Sequence, residues 1–192
     1  MDKKREKNVK AERKKKTAKK RIPWAVQVFF LSIGISAMLS FLSNEALANA
    51  GLILAFCVLL AFILLGIVFD IIGVAVTAAD ERPFHSMASR KFPGAREALK
   101  LIRKANQVSS VCNDVVGDIC GIVSGSTAAV IVVRLHEVFG MESILTSLVI
   151  TALASGLTIC GKAVGKTFAI EKSTAVLRVV GSILHIFSRN KR

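Results

Sequence analysis

The sequence predicts an all-α fold, a polytopic membrane helix bundle with four transmembrane helices. Three observations predict it. Hydrophobic residues make up 53% of the 192 residues, and the mean hydropathy is +0.56. Charge is segregated: of 27 Lys+Arg and 13 Asp+Glu, the first 22 residues hold 12 and 3, which is +9 of the net +14. Four apolar stretches reach the roughly 17–25 residues that cross about 30 Å of hydrocarbon as helix. A lone strand in lipid leaves its backbone groups unpaired, so these stretches are helices. A plain soluble enzyme, a disulfide scaffold and a disordered chain are excluded.

The elements follow in order. Residues 1–22 form a basic arm, expected to be disordered and to hold anionic lipid at about 1 kcal/mol per basic residue near the surface. The arm has no aromatic before Trp24, hence no stacking surface, and no nucleic-acid partner is expected. The first span is 23–43, opened by Pro23 at a first helical turn and Trp24 at the lipid–water interface. The second is 51–79, with Asp70 its only charge. The third is 113–135, with Asp114 and Asp118 in its first turns, and the fourth is 143–165, with Lys162 near its end. Between the second and third, segment 81–111 is amphipathic: Ala95, Ala98, Leu99, Ile102, Ala105 and Val108 recur at three or four, as on an interfacial helix. Residues 171–192 repeat the pattern through Val176, Leu177, Val180, Ile183, Leu184 and Phe187 before a basic tail. The main transmembrane domain is 44–170, with 23–43 an additional helix.

Charge in the connections sets the expected topology. The 80–112 connection carries seven Lys/Arg, whereas 44–50 carries Glu45 and 136–142 carries Glu137 and Glu142 without Lys/Arg. The positive-inside rule then puts both termini and the long loop in the cytoplasm of a multi-pass cell-membrane protein. A rival reading takes Ala46-Leu47-Ala48 as a signal cleavage site, but the apolar run of about 20 residues exceeds the usual 7–15. The cysteines (Cys57, Cys112, Cys120, Cys160) read as small buried apolar residues, with no metal or redox spacing.

Charges in hydrocarbon are expensive and mark function. Asp70 lies about 15 Å inward of Asp80, at 1.5 Å rise per residue. Asp114 and Asp118, four apart, share a helix face beside Asn113. Oxygen donors of this kind suit a hard cation such as Mg²⁺ rather than zinc. Simpler readings stand beside this one. Asp114 suits a helix N-terminus, Lys166 suits snorkelling to the interface, and Asp70 with Lys162 suits a structural ion pair. The run Gly117, Gly121, Gly125 suits close helix packing. No nucleophile, base and orienter occur as a set, so no enzyme is expected.

The segments FDIIGVAVTAADERPFHSMASRKFPGAREALKLI, CNDVVGDICG and GKAVGKTFAI together resemble the membrane domain of the cyclin M and CorB/CorC magnesium transporter family, over about residues 60–187. Phe69, Ala75, Asn113, Gly161, Lys166, Thr167 and Ala169 fall in its register. The family's glutamate in the first motif aligns with Gly73. Lys162 and Gly165 stand at its late glutamate and proline. The resemblance implies a homodimer and a Mg²⁺ site open to the cytoplasm, without the soluble CBS regulatory domains. The expected function is binding or transport of a divalent cation, Mg²⁺ or Co²⁺. Asp70, Asn113 and Asp118 are the expected ligands, with Asp114 and Ser110 flanking. The alternative is a non-transporting membrane scaffold or interaction subunit of the same fold.

Overall fold

A computed structural model describes the backbone of residues 2–48, 51–140 and 143–189, with side chains over 25–48, 51–138, 140 and 144–186. Every regular element among them is helical. In chain order these are α1 (Asp2–Ala48), α2 (Leu52–Ala78), α3 (Arg82–Ser89), α4 (Ala95–Arg103), α5 (Ala105–Ser110), a π-helical segment (Val111–Gly117), α6 (Asp118–Phe139), α7 (Ser143–Glu171) and α8 (Ser173–Arg189). Four helical stretches are long and apolar enough to cross a membrane: Ala25–Ala48, Leu52–Ala78, Ala105–Val138 and Ile144–Glu171.

Two helix starts differ from expectation. The first helix starts at Asp2, so the basic arm is continuous with the first span. Lys, Arg, Glu and Ala are all good helix formers. Pro23 consequently falls inside a helix and not in its first turn. The third stretch begins at Ala105, eight residues before the expected start, because α5 and the π segment continue into α6.

α2 is the central element. It packs against α7, α6, the π segment, α5 and α8, while α1 lies against α6 and α2. One apolar core joins Leu47 of α1, Ala55, Leu59 and Ile63 of α2, and Ala128 and Ile131 of α6. A second joins Val76, Phe84, Ala98, Leu99 and Leu177, fastening α3, α4 and α8 to the C-terminal end of α2. A third sets Val115, Ile119 and Val123 against Val28, Ile35, Leu39 and Phe62. Outward faces are also apolar: Phe30, Ile53, Leu64, Ile144 and Leu153 are all more than half exposed. Apolar exposure on this scale marks surface meant for lipid or for partners.

Polar contacts tie the bundle at few places. Ser43 and Thr127 hydroxyls, both buried, meet at 3.2 Å between α1 and α6. The Arg134 guanidinium donates to the Leu47 carbonyl, one of the carbonyls that the end of α1 leaves without a helical partner. Cys112 and Cys120 are buried, as expected; Cys57 and Cys160 instead face outward.

The small residues divide in an unexpected way. Close approach occurs on α2, where a side chain on Gly66 would meet Cys120 Cβ at 3.2 Å, and on α7, where one on Gly165 would meet Ile71 Cγ1 at 2.8 Å. Of the third span's glycine run, Gly117 is packed, but Gly121 and Gly125 have nothing within 4 Å of a Cβ position. They line a cavity of about 250 Å³ between α6 and α7, with Ser124, Thr151, Ser155 and Thr158. Within the chain, therefore, Gly121 and Gly125 are not the close-packing glycines the spacing predicts.

Candidate functional site

Asp70 is the one acidic side chain buried among the described residues, at 4% exposure. It sits on α2 two turns before the helix ends at Ala78, on the face that carries buried Gly66 and Gly73. That face points at the π segment and α7. A buried charge needs compensation. The nearest is Lys166 of α7, whose Nζ lies 3.8 Å from Asp70 Oδ2. This distance suits an ion pair but exceeds a hydrogen bond. Asp70 Oδ2 accordingly has no hydrogen-bond partner.

The second orphan is Asn113 Oδ1, also buried and without a hydrogen-bond partner. Asn113 stands in the π segment Val111–Gly117. A π turn widens the helix by one residue per turn and is frequent at functional sites. Its amide is oriented from behind: Nδ2 donates to Ser109 Oγ at 3.3 Å. With the amino group engaged, the carbonyl oxygen turns to α2, where it fills the space beside Gly73. Gly73 follows Asp70 by three residues, one turn along the same face. Neighbouring Cβ positions at that spacing are about 5–6 Å apart. Two buried oxygens without hydrogen-bond partners thus lie along one face of α2, Asp70 Oδ2 on the helix itself and Asn113 Oδ1 against Gly73 one turn on.

The other expected ligands fall elsewhere. Asp114 and Asp118 are exposed. Ser110 Oγ donates to Asp114 Oδ2 at 2.8 Å, so this flanking pair does meet, within its own helix. Among the described residues no three His, Cys, Asp or Glu side chains gather as a metal-holding group. Asp70, Asp114 and Asp118 therefore do not converge as one three-carboxylate cluster. Asp114 lies within the π segment and Asp118 directly follows it; both are exposed, whereas Asp70 is buried.

The lysines are also reassigned. Lys162, the partner of Asp70 in the alternative ion-pair reading, lies by Gly117, its Nζ 3.6 Å from a Cβ position there. Lys166, expected to snorkel away, is Asp70's partner while remaining 54% exposed along its side chain. Asp70 and Asn113 were legible as intramembrane polar residues. Gly73 was legible only as the position where the resembling family carries a glutamate, and not as the seat of Asn113.

Comparison of the chain with protein-family models, with curated proteins and with solved structures returns no match.

Proposed function

We propose that this is a multi-pass membrane protein, both termini cytoplasmic, that binds or moves a divalent cation at Asp70 and Asn113. The observation that carries the reading is the pair of buried oxygens, Asp70 Oδ2 and Asn113 Oδ1, both without hydrogen-bond partners. Leaving such a group unsatisfied costs about 1–3 kcal/mol, more for a charged one. A hard cation satisfies both kinds of oxygen at once. Mg²⁺ fits the donor set: it keeps several waters and needs only one or two carboxylates from the protein. The family's glutamate has no counterpart here, because Asn113 fills the space beside Gly73; Asp70, one turn earlier, supplies the negative charge in its place.

In this reading α2 carries the charge, the π segment aims the amide, and α7 supplies a balancing lysine. Asp70 lies about 12 Å from the end of α2, eight residues at 1.5 Å each. That end bears α3, α4 and α8 with most of the connecting basic residues, which supports a cytoplasmic orientation. Calorimetry of purified protein with Mg²⁺ and Co²⁺ tests the reading, with Asp70→Asn and Asn113→Ala expected to abolish binding. An intact, folded parent that binds neither ion would overturn it.

A second reading has its own observation, the Asp70–Lys166 pair at 3.8 Å. A neutralised carboxylate needs no metal, and the chain would then be a membrane scaffold or interaction subunit. In that case Asp70→Asn changes stability and leaves any cation response unaltered.

A further inference from the structure

We propose that Lys166 is a tethered competitor for the Asp70–Asn113 site, excluding monovalent cations and yielding to divalent ones; the proposal rests on the cation reading above. The two partners of the ion pair are unlike. The Asp70 side chain is 6% exposed and fixed on α2, whereas the Lys166 side chain is 54% exposed. Lysine has a long flexible stem and a compact, strongly hydrated charge. Its head can leave for water while its stem stays against the helix. The carboxylate is thus stationary and the ammonium exchangeable.

The pair is also incomplete. A charge-assisted N–H···O bond closes to about 2.7–2.9 Å, but this one stands at 3.8 Å. Asp70 Oδ2 remains without a hydrogen bond, and Asn113 Oδ1 is not reached by any donor. Lys166 therefore balances the charge and leaves both oxygens available. Nor is this a general feature of the lysines nearby: Lys162, one turn earlier on α7, makes no ion pair among the described residues and lies by Gly117.

Competition follows from charge and tethering. A side chain held beside its partner acts at an effective concentration of order millimolar or higher. Na⁺ or K⁺ offers Asp70 the same single charge as Lys166 and must also displace it. A divalent ion offers twice the charge and engages Asn113 Oδ1 as well, directly or through its waters. Such a built-in competitor gives specificity by penalising the wrong ligand.

The test is Mg²⁺ calorimetry on the full chain in detergent micelles, at low NaCl and at 150 mM NaCl, roughly physiological ionic strength. Lys166→Gln is expected to bind Mg²⁺ at least about ten-fold tighter than the parent at low NaCl, and to lose that gain at high NaCl as Na⁺ enters the site. Lys162→Gln controls for loss of one positive charge and is expected to gain less than three-fold. Lys166→Arg is expected to bind more weakly than the parent, since a guanidinium grips a carboxylate through two bonds. A parent that binds Mg²⁺ with Lys166→Gln no tighter overturns this inference and leaves the cation reading standing. So does a gain in Lys162→Gln equal to that in Lys166→Gln. No binding by either the parent or a folded Lys166→Gln overturns the cation reading itself. Should Lys166→Gln fail to fold, Lys166→Arg decides: weaker binding supports the inference, and parent-like binding overturns it.

Discussion

Asn113 occupies the space that a side chain on residue 73 would need: its Cγ lies 2.7 Å from a Cβ position on Gly73, with Oδ1 closer still. The contact locks the π segment against α2 one turn from Asp70. It explains why α2, otherwise rich in Leu, Ile and Val, has no side chain at that point.

Gly73→Ala is therefore expected to push Asn113 out of its place. Overpacking of this kind costs about 1–3 kcal/mol. Asn113→Ala in the same background should recover part of that loss, because residues in direct contact are not additive. Thermal melting of the two single variants and the double variant measures the coupling; full additivity would contradict the contact.

Removal of either member of the Asp70–Lys166 pair should have unequal effects. Lys166→Met strands a buried carboxylate, the situation that costs about 3–5 kcal/mol for fully buried pairs, reduced here because Lys166 is half exposed. Asp70→Asn leaves an ammonium that can reach water, and should cost less. Denaturation of both variants in metal-free buffer compares them, and a larger loss for Asp70→Asn would contradict the asymmetry.

Gly94 and Gly181 join α4 to α8. Gly94 has φ +84°, and a Cβ there would stand 2.7 Å from the Gly181 carbonyl oxygen. Left-handed backbone costs a non-glycine residue about 1–2 kcal/mol before any collision. Gly94→Ala should loosen α8 from α4, seen as faster proteolysis in the 90–94 turn and a lower melting temperature. Unchanged cleavage would show that the contact does not hold α8.

Gly66→Leu and Gly121→Leu should differ in sign. Gly66 faces Cys120 Cβ at 3.2 Å, so a leucine must displace α6, at about 1–3 kcal/mol. Gly121 has nothing within 4 Å of its Cβ position and borders the 250 Å³ cavity. A leucine there fits and regains up to about 1 kcal/mol of helix propensity over glycine. Melting of the two variants in the same detergent tests the contrast.

Topology can be read by labelling single cysteines in a background lacking the four native ones. Glu45 and Glu137 are exposed at one end of the bundle, and Arg96 and Lys100 at the other. Cysteines at 45 and 137 should react from outside intact cells, and those at 96 and 100 only after permeabilisation. Ala98 is unsuitable because it is fully buried. Outside labelling at position 96 would reverse the orientation.

Composition and charge order alone determined that this chain is helical, that four stretches are long enough to cross a membrane, and that Asp70 and Asn113 are polar residues within those stretches. The reason is that hydrocarbon thickness and backbone hydrogen bonding constrain sequence locally, so length and hydropathy reveal them. The helical faces of α4 and α8 were legible in the same way, from the three-and-four recurrence of residues such as Ala98, Leu99 and Leu177. What only the tertiary structure decided depends on phase and distance between elements. Asn113 of the π segment meets Gly73, while Asp114 and Asp118 are exposed and Asp70 is buried. Lys162 and Lys166 share a spacing, yet the direction in which α7 meets α2 makes Lys166 the ion-pair partner. Likewise Gly117, Gly121 and Gly125 share one motif, but only Gly117 has neighbours at its Cβ position, and the other two border a cavity between α6 and α7. A single residue inserted into a helical turn, or a few ångströms between two helices, decides such matters, and neither leaves a trace in hydrophobic periodicity.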